Sequence, residues 1–221
     1  MGKGAIYVKA FDATTGKGGE VWRVTDDGGS EGWPTWSPDG KRIAFQSDRS
    51  GNWDIWIANV DGTGLAQLTR HPAEDRYAAW SPDGKKIAFT SKRSGNEDLW
   101  VLDVEAALKS SDDAGAVRLT TSPARDRYPF WSPDGKQLTF NTDRDGNFEV
   151  YIINSDGSGP RNVSNSPSTE GLADWSPNGK RLVLYSDRSG NKEVYILDLA
   201  TLAWTNISTN PVSDEFCAWS P

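Results

Sequence analysis

The chain has 221 residues, of which 36% are hydrophobic and 25% charged, and its formal net charge is −7. This composition is typical of a folded globular protein and excludes a disordered chain. An acidic protein repels phosphate groups and anionic lipid, and the sequence has no basic stripe, so nucleic acid is not a predicted partner. No segment approaches eighteen consecutive apolar residues, so membrane insertion is not predicted either.

The first two predicted elements are the apolar segments AIYVKAFD (5–12) and EVWRVTDD (20–27), and a repeated unit follows them. WSPDGKRIAFQSDRSGN occupies residues 36–52, and near-copies of it occupy 80–96, 131–147 and 175–191. WSP appears once more at 219–221. Intervals of 44, 51, 44 and 44 residues separate the tryptophans that open these copies: Trp36, Trp80, Trp131, Trp175 and Trp219.

Each unit contains four segments of strand length. In the second unit, RYAAW leads into SPDG, where Pro at the second and Gly at the fourth position favour a type I turn. We interpret KKIAFTS as a half-buried strand that alternates apolar and polar residues. The hairpin sequence KRSGN and the strands EDLWVLDV and AVRLTTS complete the unit. Four antiparallel strands, repeated about every 44 residues, predict one β-propeller blade per unit.

Two further columns, by which we mean equivalent positions in the repeated units, lie at fixed distances from the tryptophans. An aromatic residue follows twenty residues after each of the first four: Trp56, Trp100, Tyr151 and Tyr195. A branched aliphatic residue precedes all five by twelve residues: Val24, Leu68, Leu119, Val163 and Ile207. We expect the opening tryptophans to be structural wedges between adjacent blades rather than a surface that stacks on a ligand.

The repeated sequence resembles the WD-repeat-like β-propeller repeat of the TolB family over nearly the whole chain. Members of that family usually have six blades and an amino-terminal α/β domain, and this sequence departs from both features. It predicts an all-β propeller with five blades, four of them complete. The predicted complete blades lie near 33–70, 77–121, 128–165 and 172–209, and a composite blade joins 214–221 to 5–26. N- and C-terminal strands would close that blade, which has no second strand; truncation of a larger protein is the alternative.

One acidic column precedes the tryptophans by five residues: Glu31, Asp75, Asp126, Glu170 and Asp214. Because first strands line the axis of a propeller, we expect these carboxylates to form a ring at the mouth of the channel. In one interpretation each acid caps its loop or pairs with an arginine, either Arg76, Arg127 or one in a hairpin. Four hairpin arginines are available: Arg49, Arg93, Arg144 and Arg188. In the other interpretation the ring is a binding site for a cation such as calcium or for a basic peptide.

Catalytic residues are not predicted. His71 is the only histidine and Cys217 the only cysteine. The usual zinc sites therefore cannot be assembled, and a Ser-His-Asp triad would have to use His71. We expect His71 to be a solvated loop residue and Cys217 a small buried one. No cofactor is predicted to be required, apart from the calcium considered above.

The leading prediction is therefore a non-catalytic scaffold that binds a protein or peptide. The alternative is an accessory or gating propeller of a larger enzyme that resembles a serine peptidase. The resemblance to TolB implies a bacterial, periplasmic protein, whereas a chain that is complete as written would be cytoplasmic. Self-association through the incomplete blade is a further expectation, because exposed strand edges pair with other chains.

Overall fold

The computed structural model describes residues 4–12, 14–110, 112 and 115–219. Four sheets, here blades I to IV, each contain four antiparallel strands in sequence order. Blade I contains β3 (Glu31–Trp36), β4 (Arg42–Ser47), β5 (Asp54–Asn59) and β6 (Ala66–Gln67), and blade II contains β7 (Asp75–Trp80), β8 (Lys86–Ser91), β9 (Asp98–Asp103) and β10 (Val117–Arg118). Blade III contains β11 (Asp126–Trp131), β12 (Gln137–Thr142), β13 (Glu149–Asn154) and β14 (Arg161–Asn162), and blade IV contains β15 (Glu170–Trp175), β16 (Arg181–Ser186), β17 (Glu193–Asp198) and β18 (Trp204–Asn206). A fifth sheet pairs β1 (Tyr7–Asp12) with β2 (Lys17–Arg23). The predicted all-β propeller is confirmed.

The second strand of each blade is buried on both faces, which differs from the half-buried strand that its alternating sequence predicts. In β8 the residues Ile87, Ala88 and Phe89 have no exposed surface, and the polar Thr90 and Ser91 are also buried. A central strand of a propeller blade packs against a neighbouring blade on either side, so neither of its faces meets solvent. The interpretation of KKIAFTS as an alternating strand is wrong, because Ile87, Ala88 and Phe89 are three consecutive apolar residues, and the two hydroxyl side chains that follow them are buried as well.

The hydrophobic core lies between blades. Ala44 and Ile57 of blade I pack with Trp80 and Phe89 of blade II. Similar clusters join blade II to blade III and blade III to blade IV, and Ile6, Val8 and Val24 join the fifth sheet to blade I. The innermost strands β3, β7, β11 and β15 lie against one another around the axis. The predicted role of the opening tryptophans as wedges is confirmed for Trp80 and Trp175, which are 7% and 6% exposed.

The sheet formed by β1 and β2 supplies the predicted third and fourth strands of the composite blade. Tyr7 pairs with Arg23 and Val8 with Trp22. The Thr25 hydroxyl accepts a hydrogen bond from the Ile6 N–H at 2.9 Å, as Thr69, Thr120, Ser164 and Ser208 do for the third strands of blades I to IV. The same hydrogen bond therefore joins the outer strands of the β1–β2 sheet and of all four blades.

The predicted closing strand at 214–221 is not observed. Residues 214–219 form no strand in the part of the chain that the structure describes, and residues 220 and 221 lie outside it. The innermost strand of each other blade pairs with the second strand of that blade, whereas the described residues supply no second strand here. The segment is instead held by single contacts, with the Asp214 N–H donating to the Lys192 carbonyl at 2.8 Å and the Trp219 N–H to Asp174 Oδ2 at 3.0 Å.

We call the space between residues 214–219 and the β1–β2 sheet the seam. Apolar side chains are exposed on both sides of it, with Trp36 at 51% and Phe216 at 76%. Tyr7 and Phe11 of β1 are exposed as well. Trp36 and Trp80 occupy the same position of the repeat. Trp80 is covered by the preceding blade, whereas Trp36 is exposed where the second strand of the preceding blade would lie.

One short helix was not predicted. Helix α1 (Val104–Lys109) occupies the start of the insertion EAALKSSDDAG, and the Asp103 carboxylate caps it by accepting the Ala106 N–H at 2.8 Å. Among the residues that the structure describes, no helix has the length and apolar character needed to cross a bilayer.

Candidate functional site

Four of the five predicted acidic residues begin the innermost strands, but their carboxylates are not presented to solvent. Each side chain has no exposed surface and forms an ion pair with the hairpin arginine of its own blade. The pairs are Arg49–Glu31, Arg93–Asp75 at 2.7 Å, Arg144–Asp126 at 3.1 Å and Arg188–Glu170 at 3.2 Å. These contacts are those of the interpretation in which each acid pairs with a hairpin arginine inside its own blade. The fifth, Asp214, accepts a hydrogen bond from Asn210 Nδ2 at 2.7 Å.

Each hairpin arginine also contacts a hydroxyl side chain and an aromatic ring. Arg93 Nε donates to Ser91 Oγ at 2.9 Å, and its guanidinium lies 4.9 Å from the centre of the Trp100 ring. The other three arginines repeat this arrangement on Ser47 and Trp56, on Thr142 and Tyr151, and on Ser186 and Tyr195. The aromatic column twenty residues after each tryptophan is thus the platform for a cation–π contact. These residues hold the strands of the blade together.

Glu170 is the acid in this group with the most strongly perturbed protonation. Burial raises the pKa of its carboxyl to about 7, although hydrogen bonds from Ser186 and Arg188 favour the charged form. Its Oε2 is buried without a hydrogen-bond partner among the described residues. The protonated form is therefore stabilised in the interior of blade IV.

The residues two positions after the acids surround the propeller axis: Trp33, Tyr77, Tyr128, Leu172 and Phe216. The first four have φ between 51° and 58°, a conformation that is costly for bulky side chains. Each lies at a β-bulge where the pairing of the first strand with the second shifts register. A bulge redirects a side chain, and here it turns four large residues toward the axis.

Polar side chains of the preceding blade fix two of these bulges. Gln46 Oε1 accepts the Tyr77 N–H at 3.2 Å, and Asn141 Oδ1 accepts the Leu172 N–H at 3.0 Å. Asn141 also donates to the Glu170 carbonyl at 2.9 Å. The axial residues are therefore positioned by hydrogen bonds across the blade interfaces.

The aromatic residues of this column form one cluster. The Trp33 ring centre lies 5.0 Å from that of Tyr77, 5.5 Å from Tyr128 and 5.9 Å from Phe216, and Tyr77 lies 4.3 Å from Tyr128. Trp33 is 38% exposed, so the cluster combines a packed interior with an aromatic surface that solvent can reach. Large aromatic surfaces with polar edges are common at sites that bind other molecules.

Next to this cluster is a cavity of about 330 Å³, which we call the axial cavity. Its lining includes Trp33, Tyr77, Tyr128, Asp174 and Cys217. Burial raises the pKa of both the Asp174 carboxyl and the Cys217 thiol, the latter to about 12. A thiol with so high a pKa is a poor nucleophile at neutral pH, which agrees with the predicted role of Cys217 as an inert side chain.

The cavity does not contain the residues of a familiar catalytic or metal centre. His71 lies in the loop that follows blade I, where its Nδ1 accepts the Ala73 N–H at 3.0 Å. Within the described ranges, no group of three or more His, Cys, Asp or Glu side chains is arranged to hold a metal ion. Calcium binding by the acidic column stays a prediction, and four of its five members already have an arginine.

Sequence reasoning missed the axial column. Its members lie three residues before each repeat tryptophan, and they differ among the copies (Trp, Tyr, Tyr, Leu and Phe). The columns that are nearly identical in every copy, such as the hairpin arginine, turned out to build the blade. A position that differs among the copies and lies between positions that are the same in every copy could have indicated a surface specific to this protein.

The sequence and fold were compared with those of known proteins. Residues 108–221, more than half of the chain, match the model described as the TolB beta propeller domain. Residues 12–98 match the model described as the Tricorn protease N-terminal beta propeller domain. The Tol-Pal system protein TolB of Bordetella pertussis is 40% identical over 118 residues, which is 53% of this chain and 26% of that protein.

Solved structures with the same fold include TolB from Acinetobacter baumannii, with a TM-score of 0.77 and 22% identity. That match covers 95% of this chain and 50% of the Acinetobacter chain. A puromycin hydrolase matches with a TM-score of 0.66 and 18% identity, over 87% of this chain and 31% of its own. This chain therefore corresponds to part of the length of each of these relatives.

Proposed function

The chain belongs to the TolB β-propeller domain family, and from that premise we propose that it is a non-catalytic module that binds a protein or peptide through its axial face. The observation that carries the proposal is the partly exposed aromatic cluster of Trp33, Tyr77, Tyr128 and Phe216. Propellers present binding surfaces at the ends of their channels, and aromatic anchors commonly dominate the energy of such interfaces. As a bacterial TolB relative, the protein is proposed to act in the periplasm.

Panning a random peptide display library on the immobilised protein tests this proposal. We expect saturable binders whose affinity falls in the variant Trp33→Asn, because asparagine tolerates positive φ but has no ring. Val117→Asn removes an exposed apolar side chain from the outer strand β10 and is the matched control. Binders that lose affinity equally in both variants would argue against the axial face. Binders that lose affinity only in Val117→Asn would place the binding surface on an outer strand instead.

The second candidate is an accessory propeller of a larger peptidase-like enzyme. The match of residues 12–98 to the Tricorn protease propeller model favours it, and the fold of a puromycin hydrolase is also similar. In that case the propeller would admit peptides to a hydrolase domain. Incubation of the protein alone with peptide, ester and pectin substrates should give no turnover under either proposal, and hydrolysis would contradict the non-catalytic assignment.

The seam supports a third, separate proposal, that two copies associate there. Its exposed Tyr7, Phe11 and Phe216 form apolar surface next to strand β1, and such edges favour pairing with another chain. Light scattering should show a concentration-dependent dimer, which Phe11→Lys disrupts. A strict monomer at all concentrations would exclude it.

A further inference from the structure

The position two residues after the axial column breaks the symmetry of the repeat. Its members are Thr35, Ala79, Phe130, Asp174 and Ala218. Only blade IV has a charged side chain at this position, and that side chain lines the axial cavity. Asp174 accepts the Trp219 N–H and so helps to hold the C-terminal segment, but this contact leaves the charge of its carboxylate without a cation.

The Asp174 carboxylate differs from the acids of the blade interiors in what surrounds it. It accepts two backbone hydrogen bonds, from the Trp175 N–H at 2.8 Å and the Trp219 N–H at 3.0 Å. No ion pair involves it among the described residues, whereas Glu31, Asp126 and Glu170 each have an arginine. A partly buried carboxylate without a countercharge favours the arrival of a cation.

The chain's own neighbouring arginines are engaged elsewhere. Arg76 stacks on Trp53 at 4.6 Å, and Arg127 lies 5.8 Å from the Phe148 ring and pairs with Glu97. Neither lines the axial cavity. The cation that would neutralise Asp174 is therefore expected to come from a bound molecule.

The walls of the cavity favour an organic cation over a metal ion. Trp33, Tyr77 and Tyr128 line the cavity, and aromatic rings attract cations by cation–π contacts, whereas a single carboxylate offers too few oxygen ligands for calcium. A guanidinium is planar, stacks on aromatic rings, gives up its hydration more easily than an ammonium and binds a carboxylate through two donors. The volume of about 330 Å³ lies at the lower end of ligand-binding pockets.

We propose that the axial cavity receives an arginine side chain of the peptide partner, with its guanidinium against the aromatic cluster and paired with Asp174. This inference rests on the proposed function and specifies the chemistry of the partner. The net charge of −7 acts in the same direction, since it attracts basic peptides.

Calorimetric titration of the full chain with acetyl-Gly-Arg-Gly-amide, and with the same peptide containing citrulline, tests the inference. Citrulline keeps the shape of arginine and lacks its charge. We expect the citrulline peptide to bind at least about tenfold more weakly, and Asp174→Asn to weaken binding of the arginine peptide by a similar factor. Glu20→Gln, which makes the same charge change at an exposed position of β2, should leave affinity within about twofold.

Equal binding of the two peptides, or equal affinity of Asp174→Asn and the unmodified protein, would overturn the inference. If Asp174→Asn does not fold, the citrulline comparison alone decides, together with Trp33→Asn. Peptides from the display selection that bind the axial face without arginine would sustain the proposed function and refute the arginine site. Failure of the arginine tripeptide and of every selected peptide to bind the axial face would refute the proposed function together with the arginine site.

Discussion

At the scale of single residues, buried polar contacts explain why some residues are the same in every copy of the repeat. The hairpin asparagine of each copy donates to two carbonyls of the loop that leads to the next blade, as Asn96 does to Ser122 at 2.9 Å and Ala124 at 2.7 Å. The hairpin arginine pairs with an acid that has no exposed surface. Removal of one partner from such a contact leaves the other buried and uncompensated.

Loss of the Arg144 guanidinium should be strongly destabilising. Arg144→Leu leaves the Asp126 carboxylate buried without its cation, and we expect it to lower the free energy of unfolding by about 3–5 kcal/mol. Adding Asp126→Asn should recover part of that loss. Arg161→Leu, on the exposed side of β14, is the control and should change stability little. Urea denaturation measures all of these, and equal effects of the two arginine variants would contradict the buried pair.

The raised pKa of Glu170 predicts a pH dependence of stability. Because its pKa is about 7 in the folded protein against an ordinary value of 4.5, the folded state binds more protons between these values. This contribution is therefore fully present below pH 4.5 and is lost as the pH rises toward 7. Between pH 4.5 and pH 7, the free energy of unfolding of the unmodified protein should therefore fall relative to that of Glu170→Gln. A difference independent of pH would show that Glu170 is charged throughout.

At the scale of elements, the sequence predicted the strands well because turn residues and repeat spacing mark where they begin and end. It did not predict how each strand is buried, since the polar residues Thr90 and Ser91 of KKIAFTS suggest an exposed face, whereas both lie between blades. It also did not predict helix α1, whose six residues are too few for a helical period to be recognised. The bulges that turn Trp33 and Tyr77 inward follow from contacts between blades, which no local pattern encodes.

Two tryptophans at the same position of the repeat should differ in their effect on stability. Trp175 is buried and its Nε1 donates to the Phe130 carbonyl at 3.2 Å, whereas Trp36 is 51% exposed at the seam. Trp175→Ala should cost about 3–5 kcal/mol through the cavity it leaves. Trp36→Ala should cost about 1 kcal/mol or less, as exposed substitutions do. Thermal and urea unfolding compare them directly, and similar losses would mean that the seam is packed.

At the scale of the whole molecule, repetition determines the architecture and departures from repetition mark the candidate site. The blade count could be predicted because one unit recurs, and four of the five acids begin the innermost strands. The sequence left open whether the acids bind a ligand or pair with a hairpin arginine, since it does not show how the hairpins fold back onto the innermost strands. The axial cavity could not be predicted, since Trp33, Asp174 and Phe216 are brought together only when the blades close around one axis.

The most direct test of the account is to observe the tryptophan indole N–H signals by NMR during titration with the arginine peptide. The account predicts that the Trp33 signal, assigned with Trp33→Asn, shifts in the unmodified protein and that the shift is lost with the citrulline peptide. The signals of Trp53, Trp100 and Trp204, which pack outside the axial cavity, should remain in place. Shifts confined to those outer tryptophans, with Trp33 unchanged at saturation, would contradict the assignment of the axial face as the binding site.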